Sequence, residues 1–439
     1  MSILAEAMKN RERNRNALSK VGFLLVGLFP LMDIFLFRKL FILFPGPLGY
    51  GPFLCMYALL PFMVARHRAP FKIGSILLLI GLIGSSGWLS GDVELPSFIK
   101  SFGSLVLPYF YYWYLWQHYE LDVTKAFHWY LNGATLVSIF GLVLFADSLM
   151  GLGLFQFLSQ FFNLGREIPA FLGNRVVGTV GEPTYFANVI APAAFFAIRR
   201  LFFTEPALSQ ELQSSQIQLS TKAAAGILTA QILTFSTIAY IGILLSFGFL
   251  FYFQRRIRSL LAFGVVSIVL MQAALSIPEI ETRISGLSEI GAEVDIDVHG
   301  SSAVLYNHVV ITRENFKQHP WIGSGLGSHT AATKKHTILR DTPLHPYAEQ
   351  NAADASSMFL RIASELGLFG VVLCLFFLWK NYIPLPLNEP RKLVLKHIHT
   401  AFLLTILLQL FRQGNFILNG FPYFVFGLYF SRLQFQKNE

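Results

Sequence analysis

We predict that this chain is an all-α protein that crosses a membrane about twelve times. Of its 439 residues, 54% are hydrophobic and only 13% are charged, whereas a soluble protein carries roughly 25% charged residues. The apolar residues also form uncharged runs of about 17–25 residues, the length that a helix needs to cross a hydrocarbon core. A mean hydropathy of +0.53 agrees with this class.

The apolar runs predict twelve spans. They cover roughly residues 21–37, 51–65, 71–90, 101–118, 125–149, 184–200, 223–237, 238–253, 259–277, 356–379, 398–411 and 416–431. The stretch 223–253 is long enough for a single helix. Because Lys222 and Arg255 both belong on the basic side of the membrane, we predict two short helices with a turn near Thr234–Thr237.

Basic residues predict the orientation. With the N-terminus in the cytoplasm, 21 of the 34 lysines and arginines lie inside, and short outer loops hold few of them. The predicted units are a cytoplasmic segment 1–20, helices 1–9 within 21–277 with an outer segment 150–185, a large outer loop 278–355, helices 10–12 within 356–431, and a cytoplasmic tail 432–439. The net charge of +9 has no aromatic-interleaved basic groove beside it, which argues against a nucleic-acid partner.

The large outer loop has structure of its own. We predict one helix over 303–317, ended by Pro320, and then the glycine-spaced run 323–327. This run lacks the Gly-Lys-Ser/Thr ending of a phosphate loop, so we interpret it as a structural turn that braces the helix ahead of it.

Three groups of charged residues are candidates for chemistry. Arg175 precedes Glu182, and an arginine fork binds phosphate oxygens in pairs, although Glu182 also suits the start of a helix. Arg361 and Glu365 are four residues apart on a helix that enters the membrane, as a salt bridge or as part of a site. Arg412 lies in a predicted outer turn, where it binds an anion or reaches for the interface.

Two further patterns favour structural roles. The stretch Asp295-Ile-Asp297-Val-His299 resembles a divalent-metal motif of some glycosyltransferases, but it lies in an acidic segment and we interpret it as a solvated loop. The aromatic run from Tyr109 to Trp116 is interpreted as an interface belt, because the predicted orientation puts it at the cytoplasmic end of its helix.

In their order, these clusters resemble the bacterial O-antigen polymerase and O-antigen ligase superfamily. The likeness spans residues 166–370. It is carried by Arg175, Gly178 and Glu182-Pro-Thr-Tyr-Phe-Ala187, by Leu233-Thr-Phe-Ser236, and by His319-Pro, the glycine run 323–327 and Glu365-Leu-Gly with Gly370. The resemblance implies a GT-C-like membrane fold in the bacterial inner membrane. The two long outer segments are then periplasmic, and the orientation predicted from the basic residues places both termini in the cytoplasm.

The resemblance also implies a reaction and its partners. Glycan is transferred between undecaprenyl-pyrophosphate-linked oligosaccharides at the periplasmic face, for lipopolysaccharide synthesis, by a metal-independent glycosyltransferase without a cofactor. A chain-length regulator and a flippase are candidate partners, beside the membrane lipids. Arginines that offset the charge of the pyrophosphate leaving group can act in place of a metal. The expected pyrophosphate ligands are Arg175, Arg283, Arg412 and Arg361, and the expected bases are Glu182 first and His345 second.

The same resemblance separates polymerase from ligase. The ligase motif is a histidine, then Asn, Ser or Arg, nine residues and Gly-x-x-Gly. Counting back from Gly367 and Gly370 puts Ser356 where the histidine belongs. We therefore favour a repeat-unit polymerase, with a ligase acting on lipid A-core as the alternative. A lipid-linked oligosaccharide flippase is the second alternative, although the charged motifs gather on one face and do not line a midplane path.

Overall fold

The computed structural model describes residues 28–32, 71–118, 122–153, 175–180, 182–203, 219–254, 300–384, 389–416 and 420–437, with a few single positions between these ranges. Of the described residues, 78% are helical and none lies in a strand, so the predicted all-α class is confirmed. The predicted spans 21–37, 51–65 and 259–277 lie mostly outside the described ranges, and the count of twelve stays a prediction.

Eleven helices of eight residues or more lie within the described ranges. They are α1 Phe71–Gly84, α2 Leu95–His118, α3 Val123–Met150, α4 Pro183–Phe202, α5 Thr221–Ile232, α6 Thr237–Gln254, α7 Gly300–Gln318, α8 His329–His336, α9 Met358–Lys380, α10 Pro390–Arg412 and α11 Phe421–Lys437. Five of these are long and apolar enough to cross a membrane, namely α3, α4, α6, α9 and nearly all of α10. The chain is therefore a multi-pass membrane protein.

The predicted break near Thr234–Thr237 is confirmed. Helix α5 ends at Ile232 and α6 begins at Thr237, and between them Phe235 has a positive φ of 43°. The amide of Gln231 lies against Gly242, so the two helices fold back on each other and do not continue in one line. Lys222 and Gln254, at the far ends of this hairpin, therefore lie on the same side of the bundle.

Helix α4 is at the centre of the bundle, because α5, α6 and α10 all pack against it. Its apolar residues are buried from Phe186 to Ile198. One buried polar contact crosses this core, where Nδ2 of Asn188 on α4 donates to Oε1 of Gln409 on α10 at 2.6 Å. The contact joins the first third of α4 to the last turn of α10, so the start of α4 and the end of α10 lie on one face.

The interpretation of the aromatic run on α2 as an interface belt is wrong. Residues Tyr111 to Trp116 are at most 8% exposed, and they stack on rings of α10 and α11. The indole of Trp116 lies 5.4 Å from the ring of Tyr423 and 5.5 Å from that of Phe430. These rings fill a protein core, where large offset-stacked and edge-to-face contacts are favourable.

The glycine-spaced run is structural, as predicted, but it braces a break in α9 as well as α7. The backbone N–H groups of Ser324 and Gly325 donate to the carbonyls of Ser364 and Glu365, at 3.2 and 3.0 Å. Gly367 interrupts the helix with a φ of 60°. A Cβ at Gly323, whose φ is 68°, would stand 2.4 Å from the backbone carbon of Glu365. Only glycine allows this approach.

The predicted helix 303–317 is confirmed as α7, and the structure adds the shorter α8 after it. Both pack against α9 at its start. Several helix ends therefore lie at one face of the bundle. These are the starts of α4, α6 and α9, the ends of α5 and α10, and the cap made of α7 and α8.

Candidate functional site

Arg175 holds the break between α5 and α6. Its Nε donates to the carbonyl of Thr234 at 2.8 Å, and one terminal nitrogen donates to the carbonyl of Phe235 at 2.5 Å. The neighbouring Val176 N–H donates to the carbonyl of Leu233 at 3.0 Å. These three bonds set the direction of the planar guanidinium at the face where α4 begins, and the side chain is only partly buried.

Glu182 precedes α4 in an extended conformation, with Pro183 as the first helical residue. It is exposed, and its side chain does not cap the helix. The next polar side chain, Thr184, accepts a long hydrogen bond of 3.4 Å from the hydroxyl of Ser236 in the break. The first predicted cluster and the Leu233-Thr-Phe-Ser236 motif are therefore adjacent in space.

The predicted pair of Arg361 and Glu365 is a buried salt bridge. Nε of Arg361 lies 3.1 Å from Oε1 of Glu365, and the two side chains are 8% and 0% exposed. A terminal nitrogen of Arg361 also donates to the carbonyl of Gly414 at 3.1 Å, and the guanidinium lies 4.4 Å from the ring centre of Phe416. Direct contact of this arginine with a pyrophosphate stays a prediction, because its described contacts are internal.

Arg412 ends α10 at the same face and is partly exposed. It donates to the carbonyl of Ser301 at the start of α7, at 3.3 Å. Its charge also acts on His308 and on Asp354. The residues near Arg412 thus come from α7, α10 and the loop before α9.

Two other predicted site residues lie apart from this group or outside the described part of the chain. His345 is exposed in a short 3-10 turn, His345–Tyr347. Arg283 and the stretch 295–299 are outside the described residues.

A buried histidine pair beside Arg412 was missed by the sequence analysis. Nδ1 of His308 on α7 lies 3.0 Å from Nε2 of His329 on α8. Nε2 of His308 lies 2.8 Å from the carbonyl of Gln350, and Nδ1 of His329 lies 3.0 Å from the hydroxyl of Ser364. Both histidines are fully buried.

The carbonyl at one end of this chain of bonds determines the tautomers. A carbonyl only accepts, so Nε2 of His308 carries a proton and its Nδ1 accepts. Nε2 of His329 then donates, and its Nδ1 accepts the hydroxyl proton of Ser364. Burial is the main cause that lowers the pKa of both histidines, and each neighbouring positive charge lowers it further. The pair is therefore neutral at physiological pH.

The carboxylate beside this pair belongs to Asp354, a second residue that the sequence analysis missed. Burial raises its pKa, while the N–H of Ser356 and the neighbouring Arg361, His308 and Arg412 lower it in part. The carboxylate accepts that N–H at 3.0 Å, yet the residue keeps some exposure to solvent. Its position two residues before Ser356 was the only signal for it in the sequence.

A network of buried polar side chains is connected to the histidine pair through Ser364. Nδ2 of Asn315 on α7 reaches Oγ of Ser324, Oγ of Ser364 and the carbonyl of Ser364, at 2.7, 2.9 and 3.0 Å. The hydroxyls of Ser324 and Ser328 are 2.6 Å apart. Buried and mutually satisfied, these groups hold α7, the glycine run and α9 in one arrangement.

A comparison with protein families now bears on this site. Residues 223–375 match the family model described as O-antigen ligase. The match covers about a third of the chain, and it supports membership in the superfamily of O-antigen polymerases and ligases. No curated protein matches it.

The matched residues include most of what the structure brings together. They run from α5 to α9 and contain the break that Arg175 holds, the histidine pair, Asp354 and the buried ion pair. Arg175, Glu182 and Arg412 lie outside the match, yet they share the same face of the bundle. The matched family implies a glycosyltransferase-like or ligase activity, and it suggests lipid-linked glycan substrates in a membrane.

Proposed function

We propose that the chain is a polymerase of undecaprenyl-pyrophosphate-linked oligosaccharide repeat units, acting at the periplasmic face of the bacterial inner membrane. The growing glycan is transferred from its lipid pyrophosphate to a hydroxyl of a new lipid-linked unit. The observation that carries the proposal is the environment of Ser356. It occupies the position of the ligase histidine, is 4% exposed, and its hydroxyl accepts a bond from Nδ2 of Asn351 at 3.0 Å.

The basic groups of the site suit a pyrophosphate leaving group. Arg175 is oriented by two backbone carbonyls, and Arg412 is partly exposed at the same face. Two guanidinium forks can offset the charge that develops on the departing phosphate oxygen, which is the need that a metal meets in other transferases. Arg283 remains a third proposed ligand, and Arg361 supports the turn that carries Arg412.

The attacking hydroxyl needs a base, since its proton has to leave as the glycosidic bond forms. The residues that the sequence proposes for this are Glu182 and, second, His345. Glu182 is exposed beside the break that Arg175 holds, and His345 is exposed in the cap. The location of each residue is what supports it as the base.

A deletion strain tests the choice between polymerase and ligase. Without a polymerase, cells still attach a single repeat unit to their lipid A-core acceptor but make no long chains. Without a ligase, long glycan accumulates on the undecaprenyl carrier and none is attached. Ligase activity is the second candidate, because the matched family model carries that description. Long carrier-linked polymer in the deletion strain would overturn the polymerase proposal and support the ligase.

Arg175 offers a test of the pyrophosphate role. We expect Arg175→Lys to lose most chain elongation while the protein still accumulates in the membrane, because lysine keeps the charge but not the paired donors. Arg38→Lys, outside the site motifs, is the matched control and should elongate chains like the wild type. The measurement is the length distribution of glycan in a complemented deletion strain. Wild-type lengths for Arg175→Lys would remove the paired-donor role.

A further inference from the structure

We propose that Asp354 is the general base of the transfer reaction, a residue that neither the superfamily motifs nor the sequence analysis assigns. The inference rests on the proposed function, since it identifies the group that takes the proton from the acceptor hydroxyl.

The loop that carries Asp354 is held by three of the neighbouring helices. His308 of α7 donates to the carbonyl of Gln350, and Thr330 of α8 donates to that of Ala352 at 3.4 Å. At the other end of the loop, the hydroxyl of Ser357 donates to the carbonyl of Leu410 on α10 at 2.7 Å. A base has to be positioned to within a fraction of an ångström, and this loop meets that requirement.

The backbone around Asp354 is also unusual. Ala355 and Ser356, which follow it directly, have positive φ values of 57° and 55°. The left-handed conformation is unfavourable for a residue that carries a Cβ atom. The carbonyl of Asp354 lies so close to Gly414 that a Cβ there would be 1.3 Å from it. Strain of this kind persists where the surrounding structure fixes it, and here it turns the Ser356 N–H toward the carboxylate.

The titratable and charged groups that face Asp354 come from every helix packed around it. They are His308 from α7, Arg361 from α9 and Arg412 from α10, with His329 of α8 behind His308. Arg361 is already paired with Glu365, and both histidines are neutral. Burial then dominates and raises the pKa of Asp354. A carboxylate with a raised pKa is a stronger base than an exposed one.

The histidine pair supports Asp354 but cannot replace it. In the hydrogen-bonded chain, Nδ1 of His308 accepts from His329, and Nδ1 of His329 accepts from Ser364. The only basic nitrogen of each ring is therefore occupied. Both rings are also fully buried, whereas Asp354 keeps contact with solvent. Of these three residues, Asp354 is the one with solvent exposure, which the approach of a sugar hydroxyl requires.

In the proposed step, the acceptor hydroxyl displaces undecaprenyl pyrophosphate from the donor glycan. The acceptor oxygen forms a bond to the anomeric carbon of the donor glycan, and its proton passes to the carboxylate of Asp354. The bond from the anomeric carbon to the phosphate oxygen breaks, and its electron pair leaves with undecaprenyl pyrophosphate. The arginines offset the new negative charge. Asp354 then releases its proton to water, and the glycan has grown by one unit.

Purified full-length protein in nanodiscs tests the assignment, with lipid-linked repeat units extracted from the deletion strain as substrate. We expect D354N to lower kcat by about 100-fold or more with KM for the units changed less than threefold, since a positioned base contributes roughly 10²–10⁴-fold. The wild-type rate should fall as pH falls through the pKa of Asp354, because only the charged form accepts a proton. D354N should lack this acid limb. E349Q, an exposed carboxylate five residues away, is the control and should keep both rate and limb.

Other outcomes have separate meanings. D354N with more than a tenth of the wild-type kcat, or E182Q that loses the acid limb while D354N keeps it, overturns the assignment of Asp354. Where D354N does not accumulate, D354E decides, because it keeps a carboxylate and should show a reduced rate with the acid limb in place. A D354E profile without that limb also overturns the assignment. Wild-type protein that fails to lengthen the units overturns the proposed function itself.

Discussion

Replacing Arg361 by methionine should cost the protein much of its stability. The change keeps the length and apolar surface of the side chain but leaves the carboxylate of Glu365 buried without its partner. Arg361 is 8% exposed and Glu365 is 0% exposed, so solvent screens the pair very little. Removing one member of such a pair costs about 3–5 kcal/mol.

A second contact of Arg361 adds to this cost. The carbonyl of Gly414 loses its donor, which costs about 1–3 kcal/mol for a buried group. A methionine at this position still makes the apolar part of the contact with the ring of Phe416. We therefore expect R361M to lower the free energy of unfolding by at least about 3 kcal/mol. This loss shifts the unfolding equilibrium by two or more orders of magnitude. R361M/E365Q should recover more than half of that loss, since no uncompensated charge remains.

The measurement is the unfolding free energy in mixed micelles during a titration with dodecyl sulfate. Lys317→Met is the matched control, because Lys317 and Glu314 form a helical pair at 2.7 Å with side chains 54% and 36% exposed. An exposed pair contributes at most about 1 kcal/mol. The reasoning is refuted if R361M unfolds within about 0.5 kcal/mol of the wild type, or if K317M costs as much as R361M.

Two other predictions concern the cap. Gly323→Ala should lower the free energy of unfolding by at least about 2 kcal/mol, because an alanine there needs a positive φ and meets the backbone of Glu365. Gly103→Ala is the control, because Gly103 has open space around it on an exposed face of α2. This control should leave stability unchanged or raise it by up to about 1 kcal/mol. Equal thermal midpoints for the two variants would contradict this. Because folding lowers the pKa of His308 and His329, their contribution to stability is present above the unfolded value of about 6.5 and is lost as pH falls below it. The raised pKa of Asp354 changes stability with pH in the opposite direction to the histidines. The measurement is therefore the difference in stability between wild type and H308Q/H329Q from pH 8 to pH 5, in which the effect common to both proteins cancels. H345Q is the control, and a difference that does not shrink on acidification would show that the pair is not held neutral by the fold.

Local sequence rules predicted the parts of this fold that depend on neighbours in the chain. The break at residues 233–236 followed from two basic residues that need the same side, and the pairing of Arg361 with Glu365 followed from helical spacing. The aromatic run on α2 was misinterpreted because its partners are on α10 and α11, about 300 residues further along the chain. Periodicity and orientation contain no information about which helix a given face will meet.

The same limit explains the missed histidines. His308 and His329 are 21 residues apart on two helices, and only the packing of α8 on α7 brings their rings within 3.0 Å. Neither belongs to a motif with metal-ligand or nucleophile spacing. No sequence motif indicates Asn315 either, although its side-chain amide joins three segments. Candidates chosen by motif thus identified the arginines at the face but not the groups that pack between them.

Ser356 shows why an absent motif residue is not the same as an absent function. Its hydroxyl is bound to Asn351, and its N–H is bound to Asp354, so the position contributes orientation to the loop. A histidine at this position would have to adopt a left-handed φ in a buried space, next to a carboxylate already held in place. The proton acceptor that we propose, Asp354, is two residues earlier in this loop, and burial raises its pKa. The choice of polymerase over ligase depends on the serine at the position of the ligase histidine, whereas the proposed transfer chemistry depends on that carboxylate and the two partly exposed arginines.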